Sequence, residues 1–120
     1  MKKVLLAVSE LIFQTRLSEQ LKTLGYEVLP GDSGEALCKG FGVGPDLLVV
    51  DLQSRDGDPL RLIGQARDAG IPVLAYGQHT KANVLRQARE AGAALAVPRS
   101  QLVEELGQLV RGLIGFEAPV

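Results

Sequence analysis

Five short apolar runs, each bounded by turn-forming residues and alternating with stretches of helical periodicity, constrain this chain more than any single motif. That alternation is the βαβ signature of a parallel sheet covered by helices on both faces. Strands are expected at 3–8, 27–29, 46–51, 71–76 and 93–97. The first helix is expected at about 10–24, where Phe13, Leu17, Leu21 and Leu24 fall on one stripe and Gly25 closes it. A short second helix opens at Asp32, with Glu35 at capping-box spacing and Ala36 and Leu37 inside, and ends in the glycines of 40–44. Asp58 followed by Pro59 is an N-cap and N1 pair that starts a third helix running to about 69. Thr80 is expected to cap a fourth helix through 91, and Ser100 a fifth carrying Leu102, Leu106, Leu109 and Leu113.

The 120 residues, 46% of them hydrophobic, suffice for one core, so 1–120 is expected to be a single domain with no output domain attached. Any output then runs through contact. Lys plus Arg, 13, nearly cancels Asp plus Glu, 14, so no strong field exists to hold nucleic acid or anionic lipid. Cys38 has no partner for a disulfide, and with His79 alone it cannot complete a tetrahedral zinc site. Ser9 and Glu10 interrupt the first apolar run before a signal peptide or membrane span is complete, which makes a cytoplasmic protein the expectation.

Open doubly wound sheets bind ligands beyond the carboxyl ends of their strands, where strand order reverses. With the order 2-1-3-4-5, taken by analogy, Ser9 and Glu10 face Asp51 and its neighbour Gln53 there, with Gly77 and Arg99 arriving from the fourth and fifth strands. The segments 3–6, 25–28, 32–37, 71–75 and 90–93 carry a resemblance, and the most specific is the Pro-Asp-apolar-Asp run of 45–52. Over nearly its whole length the chain resembles the receiver domain of bacterial two-component response regulators, in its stand-alone chemotaxis-type form. The resemblance implies a flavodoxin-like α/β fold of five parallel strands and five helices. It also implies that Asp51 accepts a phosphoryl group from a histidine kinase, with magnesium held partly by an acidic pair ending the first strand.

The chain departs from that pattern at several positions. The acidic pair falls on Val8 and Ser9, with Glu10 following, or on Ser9 and Glu10 after a shift of one residue. Either register lacks a carboxylate, leaving Glu10 and Asp51 as the candidate magnesium ligands. The switch hydroxyl of the fourth strand falls on Gly77, the lysine on Arg99, the proline after it on Ser100, and the aromatic switch on Ala96. Arg99 is expected to pair with Asp51 and hold it ionised without phosphate. The plain structural reading of Ser9 and Glu10 is an N-cap followed by a first-turn acid. The glycines of 40–44 follow a helix and precede a strand, so they are read as a loop and not as a phosphate cradle. Asp56-Gly57-Asp58 reads as a turn plus cap, and His79 as a solvated loop residue.

The resemblance further implies a docking or homodimer face on the fourth helix, fifth strand and fifth helix, for which Lys81, Arg86, Arg89, Leu102 and Leu106 are the candidates. The expected function is that of a degenerate receiver signalling by binding a kinase or effector protein, with neither nucleic acid nor membrane as partner. The alternative is a phosphorelay receiver with Asp51 as acceptor and magnesium as cofactor. A third is a binder of a small anion or nucleotide near Arg99. Enzymatic activity is expected at most as self-phosphorylation and dephosphorylation at Asp51, because no nucleophile, base and orienting group are visible together.

Overall fold

The fold is built on a parallel sheet whose strands are β1 (Lys3–Ala7), β2 (Glu27–Pro30), β3 (Leu47–Asp51), β4 (Val73–Gly77) and β5 (Leu95–Pro98). Hydrogen bonding sets them in the order β2-β1-β3-β4-β5, as expected. The computed structural model describes residues 2–30, 44–53, 58–78 and 80–115. Four helices lie among the described residues: α1 (Leu11–Thr23), α2 (Pro59–Asp68), α3 (Ala82–Ala91) and α4 (Arg99–Ile114). The short helix expected from Asp32 lies outside them, as do Cys38, the glycines of 40–43, Asp56-Gly57 and His79.

Strand parity divides the core into two layers. Val4, Leu6, Leu47, Val49, Leu74 and Tyr76 pack with Phe13, Leu17 and Leu21 of α1 and Leu102, Leu106 and Val110 of α4. Leu5, Leu48, Val50, Val73 and Ala75 face the other way, onto Ile63 and Ala66 of α2 and Leu85 and Ala88 of α3. Both faces of the central strands are therefore dry, which is why 47–50 is continuously apolar. Leu102 and Leu106, expected on a docking face, are core residues with 0% and 3% of their surface exposed. Their helical spacing reports the stripe of α4 that covers the sheet.

Asp58 caps α2 as expected, its carboxylate accepting the Leu60 and Arg61 amides at 3.1 and 3.3 Å with Pro59 in the first turn. The other three caps differ from expectation. Glu10, and not Ser9, holds the N-cap position of α1 and makes no side-chain cap bond. A turn in which the Lys81 amide donates to Gln78 O at 3.1 Å carries the chain past Thr80, so α3 starts after Lys81. Pro98, with φ −62° and ψ 148°, ends β5 and opens α4 at once, which leaves Ser100 inside the first turn. The turn closing α3 needs glycine: Gly92 has φ +122°, and a Cβ there would stand 2.6 Å from Arg67 Cδ.

α1 and α4 lie on the same face of the sheet with an open groove between them, lined by Arg16, Gln20, Leu24, Val103 and Gly107. Gly107 lets them approach, since a Cβ there would meet Leu24 Cδ1 at 3.2 Å. Beyond the far end of the groove the Tyr26 hydroxyl donates to Gly115 O at 2.9 Å. Inside α4, Glu105 departs from helical geometry, with φ −118° and ψ 20°. No helix among the described residues is long and apolar enough to cross a membrane.

Candidate functional site

Parallel register sets Asp51, the last residue of β3, directly beside Tyr76 of β4. Both follow the strand parity that faces α1 and α4; Tyr76 packs on Phe13 in the first turn of α1, and Asp51 lies within reach of the Glu10 and Arg99 charges. The Asp51 Oδ1 accepts the Gln53 amide at 2.9 Å, a local turn that fixes the carboxyl at the mouth of the sheet. Burial pushes the Asp51 carboxyl above the usual carboxylate range; the Gln53 amide and the Arg99 charge act downward, and Glu10 acts upward.

Arg99 does not take Asp51 as its bonded partner. Its Nη2 donates to Glu10 Oε2 at 3.2 Å, closing an ion pair between residues 89 positions apart. The guanidinium also lies over the Phe13 ring, with Cζ 4.0 Å from the centroid. Phe13 in turn packs against Tyr76 with ring centroids 5.5 Å apart at 59°. A planar cation suits such a stacked position, whereas an ammonium would fill it poorly. The expected Arg99–Asp51 lock is thus a Glu10–Arg99–Phe13 lock. Glu10, at the N-cap of α1, and Phe13, three residues on, are both reached by Arg99 from the start of α4.

Tyr76 is 1% exposed, and its hydroxyl lies close enough to the Asp51 carboxyl for each group to act on the other's protonation. Burial, and then the nearby Asp51 charge, push this phenol far above its ordinary value, so it stays protonated and available as a donor. Neither Phe13 nor Tyr76 was expected at the site. Both read as core in the sequence, and only the pairing of 51 with 76 exposes the second. The remaining expected positions are dispersed. Ser9 is exposed. A side chain at Gly77 would adjoin Leu52 and Leu85 at 3.6–3.7 Å and not the Arg99 pair. Ala96, at the aromatic switch position, is buried in the layer under α2 and α3. Lys81, Arg86 and Arg89 are exposed; Arg86 pairs with Glu90 at 3.9 Å, and Lys81 lines a hollow of about 450 Å³ with Leu52, Gln53, Gln78 and Val84.

The donor set does not fit magnesium. That ion needs near-octahedral oxygen ligation anchored by carboxylates. Here Glu10 is already engaged by a guanidinium whose charge also acts on Asp51. Among the described residues no three His, Cys, Asp or Glu side chains come together.

No protein-family model matches the chain. Over 98 residues the chain is 36% identical to the transcriptional regulatory protein PdtaR of Mycobacterium tuberculosis, an alignment covering 77% of this chain and 46% of the relative. The chain thus spans about half the length of the curated relatives it matches. The signal receiver domain of a DNA-binding response regulator from Colwellia psychrerythraea superposes with a TM-score of 0.86 at 15% identity, covering 97% of this chain and 100% of that one. A two-component response regulator from Clostridium difficile does so with a TM-score of 0.84 at 19% identity, covering 94% and 95%. The fold is that of response-regulator receiver domains, flavodoxin-like in strand order.

Proposed function

We propose that this chain, a receiver domain by its fold, acts in bacterial two-component signalling as a degenerate receiver that works by binding a kinase or effector protein. The observation that carries this reading is the Glu10–Arg99 pair stacked on Phe13. It places a fixed positive charge beside Asp51 and removes the second carboxylate that a metal-assisted phosphoryl transfer would use. The coupling parts are also altered, with glycine at 77 and alanine at 96. Leu11 and Ile12, next in the chain to Glu10, are 71% and 81% exposed and offer apolar contact to a protein beside the pair. The proposed setting is cytoplasmic, and the proposed role is binding and not turnover.

A second reading, phosphorylation at Asp51, is favoured by that residue's position at the carboxyl end of the central strand. An anion or nucleotide site has less support, because the guanidinium that would hold it is spent on Glu10. Intact-mass measurement after incubation with a small-molecule phosphodonor and magnesium tests the proposal, with Asp51→Asn as control. The native chain is expected to keep its unmodified mass. One phosphoryl adduct, absent from the control, would overturn the proposal in favour of the second reading.

A further inference from the structure

We propose that this chain pairs with a second copy of itself through the open groove between α1 and α4. The two helices run in the same direction on one face of the sheet, since each follows a strand of a parallel sheet. Arg99 meets Glu10 and Phe13 at one end, and Tyr26 meets Gly115 beyond the other. Between those ends Arg16 of α1 and Glu104 of α4 both line the groove. Both are exposed, and neither enters an ion pair among the described residues. Leu24, Val103 and Gly107 add a low apolar surface beside them.

The order of charge along the groove makes this face complementary to itself. Descending α1 from its first turn, Ile12, Arg16 and Glu19 recur at helical spacing as an apolar, a basic and an acidic position. Descending α4, the acidic Glu104 comes first and the basic Arg111 two turns later. A two-fold axis along the groove lays α1 of each copy over α4 of the other, so acid and base fall in opposite order on the facing helices. Arg16 of each copy then meets Glu104 of the other, twice in the dimer. Exposed ion pairs contribute little by themselves. Covering Ile12, 81% exposed, together with the apolar surface of the groove supplies the attraction, and the charges set the register. The net charge of −1 leaves two copies with almost no mutual repulsion. With 13 and 16 residues, the two helices make a face roughly 20 Å long and about 20 Å wide, at the small end of specific interfaces. The pairing is accordingly reversible. The face expected from the resemblance, on the other flank of α4, loses Leu102 and Leu106 to the core.

Sedimentation velocity and light scattering are read on the native chain from micromolar to millimolar concentration. No phosphodonor or second protein is present, so the outcome is separate from that of the reading above. A concentration-dependent monomer–dimer equilibrium is expected, weakening as salt is raised. Arg16→Glu and Glu104→Arg are each expected to pair at least about tenfold more weakly, because like charges then meet twice. An equimolar mixture of these two variants is expected to pair as the native chain does, since one carries two acids at the paired positions and the other two bases. Ile12→Gln, at an exposed position, is expected to weaken pairing similarly while the monomer keeps its melting temperature, and it carries the test should a charge variant unfold. Arg86→Glu, on α3 at the opposite face of the sheet, is expected to leave pairing as it is. A native chain that stays monomeric at millimolar concentration would overturn the proposal. So would a dimer indifferent to Arg16→Glu and Ile12→Gln, a mixture of the charge variants that stays monomeric, or a loss on Arg86→Glu equal to theirs.

Discussion

Asp51 is held in a place that disfavours its own charge. Burial raises its carboxyl above the ordinary value of 3.8, and the Gln53 amide and Arg99 only offset this in part. With the folded value above the unfolded one, the folded state binds more protons in the window just above pH 3.8. Stability from this group therefore falls as pH rises through that window and stays lower above it. Asp51→Asn keeps an oxygen for the Gln53 amide and removes the charge. The variant is expected to melt a few degrees above the native chain at neutral pH, with the difference closing as pH drops below the window. A variant melting lower at neutral pH would show that Arg99 outweighs burial. Much at this scale was legible. Asp51, Glu10 and Arg99 stand at strand ends, where spacing and resemblance single them out. Phe13 and Tyr76 were not legible, because an aromatic ring in an apolar stripe looks the same whether it packs under a helix or beneath a guanidinium. The bonded partner of Arg99 was misjudged for a related reason. Which of two carboxylates wins depends on where an adjacent ring lies, and one-dimensional spacing does not report that.

Among the elements, helix starts show which local signals decide and which yield. Asp58 with Pro59 was readable because an accepting carboxylate, a proline at N1 and two free amides all agree. Asp58→Ala is expected to cost about 1 kcal/mol in chemical denaturation, by leaving the Leu60 and Arg61 amides without their acceptor. Thr80 and Ser100 are good capping residues in unsuitable places. A turn donated by Lys81 and the fixed backbone of Pro98 set the helix starts first. Glu10 yields its capping role in another way. Its carboxylate reaches across to Arg99, so the start of α1 is held by a tertiary contact and not by a local one.

For the molecule as a whole, alternation along each strand decides which helices cover which face; that both faces are covered was legible from the continuous apolar runs, but which helix lies on which face was not. The burial of Leu102 and Leu106 follows from the same rule, although their spacing alone suits a docking stripe equally well. Leu102→Ala is expected to cost about 2–5 kcal/mol of stability. It is expected to reduce partner binding only in proportion to the folded fraction, measured by denaturation alongside any binding assay. A loss of binding with stability unchanged would return that residue to the surface role. The pair α1 and α4 carries one more consequence. Near one end Glu10 pairs with Arg99, and just beyond the other Tyr26 bonds Gly115, so the segments flanking the two helices are tied at both ends of their shared face. Sliding one helix along the other would break both contacts, whereas bowing would leave them in place, and α4 already departs from a straight helix at Glu105.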